Sequence, residues 1–499
     1  MTHAVVFVVL GPLAGAIVVS LVPGPRERAR RVIAVVSAAL HCAVVVWIAL
    51  SVSRSAGLVY EVGGWAAPLG IVLAADALTA FFLLVLCAGH LLFVVHALSE
   101  ERGPRRHMWI LTQLLVAALS GILVAADLFN LFVFLELASV SSVGLMARKQ
   151  RAEGAGAGFV YLIYTSISGV LFLIAVVVLY RFVGALSFRH IASLGDEMPM
   201  GAYRAVVGLL TVSLGMKFGL VPFHFWQAPA YDAAGSSAAA LLSGTAMKIY
   251  LYALIRLLVH VLRAHETAAA LAPVILVLGS VNILAGHTLA LAERDLKRLL
   301  AYSSVAHAGY ILVALSAVLA SNPATVLAAS AALLHAAFHA LMKTTLFYSG
   351  RSLIVRSGSS TVERLRGVAR LEPIGFAAFI LAALSLVGIP PASGFYSKWR
   401  IGLGVTASYG WVPVAVIAAG TIVSMVYYAR VLHVGLAEPP HAATARPAIG
   451  HPTRALLVVL AAACILLGVF GPGVEAALAR AATVISEPAG YLALLGGGG

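Results

Sequence analysis

Charge is what this chain has least of. Only 10% of its 499 residues are Asp, Glu, Lys or Arg, where a soluble protein carries roughly 25%. With 62% of residues hydrophobic, this scarcity excludes a soluble globular domain, whose surface must be polar. Cysteine is nearly absent. Cys42, Cys87 and Cys464 lie far apart in the sequence, inside apolar segments, with neither metal-ligand spacing nor a disulfide framework. They read as small buried apolar residues. Lysine is rare as well, with six against 27 arginines, and its placement is informative below. Short alternating apolar segments, the mark of a membrane β-barrel, are also missing.

What is present is a succession of apolar stretches, each about 20 residues long and able to cross a hydrocarbon core of about 30 Å. Fourteen can be counted, centred near residues 12, 42, 86, 117, 138, 170, 216, 246, 280, 309, 336, 386, 418 and 462. The chain is therefore expected to be an all-α polytopic membrane protein with about 14 transmembrane helices. Thr2 to Val22 reads as the first span and not as a cleaved signal, because thirteen more follow. The net charge of +14 belongs to the topology. Twenty-one basic residues fall in the loops after spans 1, 3, 5, 9, 11 and 13, among them Arg26, Arg102, Arg105, Arg148, Lys149, Arg151, Arg294, Arg351 and Arg446. Seven fall on the other side: Arg54, Arg181, Arg189, Arg204, Arg263, Arg400 and Arg480. By the positive-inside rule the basic loops face the cytoplasm of a cell membrane and both termini lie outside. No nucleic-acid partner is implied; the partner that composition demands is the lipid bilayer. Gly350 to Glu372 is a longer mixed-charge segment, either a plain loop or, as favoured here, a helix lying on the cytoplasmic surface. The GGGG tail reads as a loose end.

A faint internal repeat runs through the middle. GTAMKIYLYA (244–253) echoes GTIVSMVYYA (420–429), and LVPFHFW (220–226) echoes IPPASGFYSKW (389–399). The chain then divides into N-terminal helices (1–100, spans 1–3), one five-helix unit (101–265, spans 4–8), a second (266–435, spans 9–13), and a C-terminal loop with span 14 (436–499). Five is odd, so the second unit would sit inverted relative to the first, as in many transporters.

Lys217, Lys248, Lys343 and Lys398 all lie within apolar segments, whereas 26 of the 27 arginines lie in loops or at span ends and only Arg256 sits deeper, in span 8. A guanidinium keeps its proton at any attainable pH; a desolvated ammonium can release it. Each such charge costs roughly 2.5–3.5 kcal/mol on the insertion scale, so four lysines at about 10 kcal/mol imply a use; a lysine at a span end could instead snorkel to the interface. One carboxylate, Glu136 in LFNLFVFLELASVSSVGL, joins them mid-span and invites a lysine partner. Asp76 and Asp127, nearer span ends, read as interfacial. In LLHAAFHALMK, His335, His339 and Lys343 are spaced i, i+4, i+8 and share a helix face. They are either a proton-carrying stripe or packed histidines bonded to backbone; zinc would fit the histidine spacing, but no third ligand is evident. His307 adds a titratable group among small and hydroxylic residues, and His224 follows Lys217 by seven residues, on roughly its face. Pro222 near Lys217 and GIPPASG (388–394) before Lys398 break spans 7 and 12. In lipid, freed backbone is tolerated only where it lines protein or water. Glu136, Lys217, Lys248, His335, His339, Lys343 and Lys398 thus read as a lateral file of titratable groups bridged by water, a proton path.

These residues carry a resemblance. ERDLKRLLAYSSVAHAGYIL (293–312), LFNLFVFLEL (128–137), MKFGLVPFHFW (216–226) and GIPPASGFYSKW (388–399) are similar to the antiporter-like subunits shared by multisubunit Mrp-type Na⁺/H⁺ antiporters and respiratory complex I. The likeness extends over about residues 70–435. It implies fourteen helices with two inverted five-helix repeats broken at spans 7 and 12. It also implies Glu136 pairing with Lys217, Lys248 as connecting group, the His335 region as central relay, Lys398 as terminal group, and lesser roles for His339 and Lys343. Within the family the chain most resembles the D subunit of Mrp antiporters. That likeness implies a secondary-transporter subunit, not an enzyme, with no organic cofactor, working among other membrane subunits on H⁺ and Na⁺. The second implied reading is an N- or M-type proton-pumping membrane subunit of NADH:quinone oxidoreductase or a related hydrogenase complex; Lys398 stands where the M-type has a glutamate. Leu135 departs from the pattern, which often has an aromatic there.

Overall fold

A computed structural model describes residues 2–24, 26–99, 106–146, 152–194, 197–262, 267–321, 324–439 and 449–496. Arg102, Arg105, Arg148, Lys149, Arg151, Arg263, Arg446 and the last three glycines lie outside these. Uninterrupted apolar sequence without water to satisfy its backbone must form helices. The described residues form α1 (Ala4–Leu21), α2 (Glu27–Ser53), α3 (Ala77–Ser99), α4 (Arg106–Val124), α5 (Leu128–Met146), α6 (Ala152–Val183), α7 (Phe188–Leu194), α8 (Met200–Phe218), α9 (Gln227–Ala233), α10 (Ser236–Leu241) and α11 (Met247–Ile255). There follow α12 (Thr267–Ala292), α13 (Leu296–Leu319), α14 (Thr325–Ser357), α15 (Val368–Leu371), α16 (Pro373–Val387), α17 (Ser393–Tyr409), α18 (Val412–Leu436), α19 (His451–Val469), α20 (Gly471–Ser486) and α21 (Pro488–Leu494). Twelve spans are continuous helices long and apolar enough to cross a bilayer, counting α10 and α11 with their π-helical turns as one, Ser236–Val261. Two more are interrupted. Span 7 is α8, a tight turn and α9; span 12 is α16, a short turn and α17.

Both interruptions are built alike. Each first half ends at a glycine in the left-handed region, Gly219 at φ 87° and Gly388 at φ 94°, a conformation that costs other residues a Cβ clash. Prolines follow at Pro222, Pro390 and Pro391 and cannot donate to a continuing helix. The freed backbone is satisfied by protein. In span 7 the Trp226 indole donates to Met216 O at 2.8 Å, and Asn282 accepts from Val221 N at 2.9 Å while donating to Gly219 O at 3.3 Å. In span 12 Lys398 Nζ donates to Val387 O at 3.0 Å.

The innermost spans are Ser236–Val261 and α13, whose apolar windows are wholly buried; α1, α2, α18 and α19 are largely exposed and form the rim. Several sequence expectations are corrected. Cys42 on α2 and Cys87 on α3 are far apart in sequence but are paired as a disulfide, with Cα atoms 5.5 Å apart, because those helices pack antiparallel through neighbouring faces. Between α2 and α3 lies a two-stranded antiparallel hairpin, β1 (Leu58–Glu61) with β2 (Val72–Ala75). The segment 350–372 is no surface helix. α14 runs on to Ser357, and a 3₁₀ turn (Val362–Leu365) and the four-residue α15 follow, tied down where Arg454 meets the buried Glu372 at 3.1 Å. Beyond span 14, α20 and α21 fold back against α14, α3 and the π-helical turn at the end of α11.

Candidate functional site

The seven residues singled out above fall in one buried region, and six of them are shielded from the surface. Lys248, Lys343, His335 and His339 are 0% exposed, Lys217 1% and Lys398 6%. The exception is Glu136, whose side chain is one-third exposed on the flank of α5. Lys398 therefore does not snorkel.

At that flank Lys217 Nζ lies 3.2 Å from Glu136 Oε1 and donates to Ser139 Oγ at 2.8 Å, so the ammonium has an anion and a hydroxyl. Both partners are on α5, one turn apart. A small cavity of about 10 Å³ lies beside Lys217, lined by Tyr161, Trp226, Tyr231, Met247 and Tyr250. Residues of the helix that carries Lys248 form part of its wall, and its size is about the minimum for a single water.

Lys248 Nζ donates to Ser243 O at 2.5 Å. That carbonyl is accessible because residues 242–246 form a π-helical turn, which widens the backbone spacing. Ser243 Oγ meets Ser304 Oγ at 2.8 Å, and Ser304 donates to Leu300 O. The same Leu300 carbonyl accepts from Lys343 Nζ at 2.7 Å, and Lys343 also donates to Ser303 Oγ at 2.9 Å. Lys343 thus reaches the Leu300 carbonyl of α13 directly, and Ser243, which accepts from Lys248, reaches it through Ser304.

Next comes a stack of imidazoles. His307 on α13 faces both His335 and His339 of α14, with ring centroids 5.2 and 4.8 Å away and those two 6.1 Å apart. His307 Nδ1 and His335 Nε2 are 3.0 Å apart, and His335 Nδ1 lies 3.0 Å from Ser397 Oγ. With both His335 nitrogens engaged and no group of three His, Cys, Asp or Glu ligands among the described residues, the zinc reading has no footing. His339 has no hydrogen-bond partner for either nitrogen. Ser397 adjoins Lys398, whose Nζ also lies 3.4 Å from Thr421 Oγ1 and 4.6 Å from the Tyr310 ring centre. Tyr310 OH meets His287 Nε2 at 3.2 Å, and His287 Nδ1 meets Tyr427 OH at 3.2 Å.

The arrangement contains groups that sequence reasoning passed over. His287 was visible as a lone histidine in an apolar span, and Tyr310 as the i+3 partner of His307, but neither carries charge and neither drew notice. Ser139, Ser243, Ser304 and Ser397 are indistinguishable in sequence from packing serines. His224 is a correction: α8 ends at Phe218, so a seven-residue spacing defines no common face, and the ring packs instead on Phe225 and Tyr302. Asp76, at the start of span 3, is 2% exposed and paired with Arg256, a partner the sequence did not suggest.

The chain's relatives agree with this architecture. It is 33% identical over 382 residues to NADH-quinone oxidoreductase subunit N of Desulforudis audaxviator, covering 75% of this chain and 74% of that one. It is 28% identical to the putative antiporter subunit mnhD2 of Staphylococcus aureus, covering 76% and 75%. Among solved structures it matches a subunit of the membrane-bound sulfane sulfur reductase, an archaeal respiratory membrane complex, with a TM-score of 0.90 at 25% identity over 99% of this chain and 100% of that one. It superposes on a chain of the Mrp complex from Dietzia sp. DQ12-45-1b with a TM-score of 0.89 at 24% identity, over 99% of each. Residues 125–425, which hold the seven predicted residues from Glu136 to Lys398, match the transmembrane family of NADH:quinone oxidoreductase and Mrp antiporters, and the chain belongs to that family.

Proposed function

We propose that this chain is the proton-translocating subunit of a multisubunit Na⁺(cation)/H⁺ antiporter in the cytoplasmic membrane, with the basic loops inside and both termini outside. The observation that carries the reading is the buried file from the Glu136–Lys217 pair through Lys248, Lys343 and the His307–His335–His339 stack to Lys398. Three kinds of group alternate along it: amines that can lose a proton, imidazoles that can take and give one, and hydroxyls that can pass one on. Separating Glu136 from Lys217 removes the anion that holds the ammonium charged, so charge at one end biases proton release at the next station. Glu136, though paired with Lys217, stands partly exposed at membrane depth, where a carboxylate facing lipid is costly; a neighbouring membrane subunit covers it in the assembled complex. Cation movement passes through other subunits.

The test is cation-driven proton exchange in vesicles containing the whole complex. Lys217→Ala abolishes exchange while partner subunits remain assembled. Full activity in that variant refutes the mechanism.

A second reading has its own support. The 33% identity to an NADH-quinone oxidoreductase subunit N and the 0.90 TM-score to a respiratory complex favour the same path driven by redox chemistry in partner subunits. Affinity purification separates the two: co-purifying flavin or iron–sulfur proteins indicate the redox complex, small membrane subunits alone the antiporter.

A further inference from the structure

The one arginine inside a span has no place in the file described above. Arg256 sits two turns along the same helix from Lys248, on the stripe Lys248, Tyr252, Arg256, His260, in steps of four. It is 2% exposed and is enclosed by three parts of the chain. From the start of α3, Asp76 pairs with it and Thr79 Oγ1 accepts from Nη2 at 3.1 Å. From its own helix, Tyr252 OH accepts from Nε at 3.1 Å, and His260 Nε2 lies 3.2 Å from Nη1. From the C-terminal segment, the Tyr491 ring covers the guanidinium with its centre 3.9 Å away, and Val484 O lies 2.9 Å from His260 Nε2. Tyr252 in turn donates to Leu123 O at 2.7 Å. With a proton-exchanging group at position 256, the stripe would be a row of hydroxyl, carboxyl and imidazole groups running along the helix of Lys248 to the end of the span away from the basic loops.

A proton can hop along hydrogen-bonded groups only if each member accepts one proton and releases another. A guanidinium has five N–H donors, no acceptor lone pair, and does not deprotonate in proteins. We propose that Arg256 is a proton block: it interrupts the polar stripe that runs from Lys248 along this helix towards the outer face, and so directs a proton reaching Lys248 laterally, towards Lys343 and the histidines. The Asp76 pair makes the buried cation tolerable. The inference rests on the proton-translocation reading and assigns this cluster a role in coupling, not in conduction.

The experiment uses the intact complex in proteoliposomes and measures passive decay of an imposed pH gradient in choline medium with a permeant anion and no exchangeable cation. Wild type holds the gradient. R256H, which places a group able to accept and release protons in the stripe, is expected to dissipate it severalfold faster. R256M/D76N, which removes both charges but offers no proton carrier, is expected to stay as tight as wild type. A merely structural role predicts that both variants leak alike. Should R256H not assemble with its partner subunits, R256K is read instead: its ammonium keeps the Asp76 pair but can shed a proton, so its leak rises from neutral to alkaline pH while wild type stays flat. The proposal is overturned if R256H, or R256K in its stead, holds the gradient as wild type does, or if R256M/D76N leaks as fast as R256H. Failure of the underlying reading looks different: Lys217→Ala then leaves cation-driven exchange intact, whatever the leak.

Discussion

At Lys398 the distinction between carrying charge and carrying protons is testable with one substitution. Lys398→Arg keeps the positive charge and a donor for Val387 O, but a guanidinium cannot release its proton. Exchange in this variant is expected to fall about tenfold or more, with assembly retained; a proton-transfer group typically contributes 10²–10⁴-fold. Activity near wild type would show that the ammonium acts only as a fixed charge. His307 offers a second test. It is the member of the imidazole stack on α13 and touches both histidines of α14. His307→Ala is expected to lower exchange as severely as His335→Ala, and the double variant to be no worse than either, as for members of one relay. Additive losses, measured as initial rates of exchange, would instead place the two on separate routes.

At the scale of the element, the breaks depend on backbone that few residues adopt. Gly219→Ala places a Cβ against the Gln227 side-chain amide at positive φ and is expected to cost about 1–3 kcal/mol. Gly208→Ala, in α8 with nothing within 4 Å of the added carbon, is expected to be neutral or slightly stabilising. Thermal unfolding of the purified protein in detergent compares them. Asp127 concerns a helix start. Its carboxylate accepts from Asn130 N at 2.7 Å to cap α5, yet burial raises its pKa to about 6. An acid with a raised folded-state value binds its proton more tightly in the native state, so its contribution falls as pH rises from the unfolded value, about 3.9, to about 6, and stays low above. Asp127→Asn keeps a good cap and removes the buried charge. The variant is therefore expected to be more stable than wild type at neutral pH, with the advantage shrinking between about 6 and 4. A stability difference independent of pH would contradict this.

For the whole molecule, the C-terminal segment acts as a clasp. Glu475 on α20 bonds Arg400 and Tyr396 of α17, and Arg480 donates to the carbonyls of Ser53 and Ser55 at the end of α2 and just beyond it. Tyr491 covers Arg256. One short segment thus ties the first, second and last thirds of the chain together at one end of the bundle. Deleting residues 471–499 is expected to lower the melting temperature by several degrees and to reduce recovery of the assembled complex. An unchanged melting curve would reduce the segment to a surface ornament.

The membrane class, the spans and the breaks near Lys217 and Lys398 could be read from the chain because each depends on local composition: hydrocarbon length sets the runs, and glycine and proline constrain their own backbone. The rarity of lysine likewise marked Lys217, Lys248, Lys343 and Lys398, since a charge in an apolar run is conspicuous wherever it folds. What tertiary structure alone decided is which groups meet. The Ser243 carbonyl reaching Lys248, the contact of His307 with both His335 and His339, the junction of Cys42 with Cys87 and the enclosure of Arg256 by Asp76 and Tyr491 join residues 5 to 235 positions apart. Their encounters depend on helix packing, and a serine or histidine carries no local sign of whether the helix beside it will offer a partner.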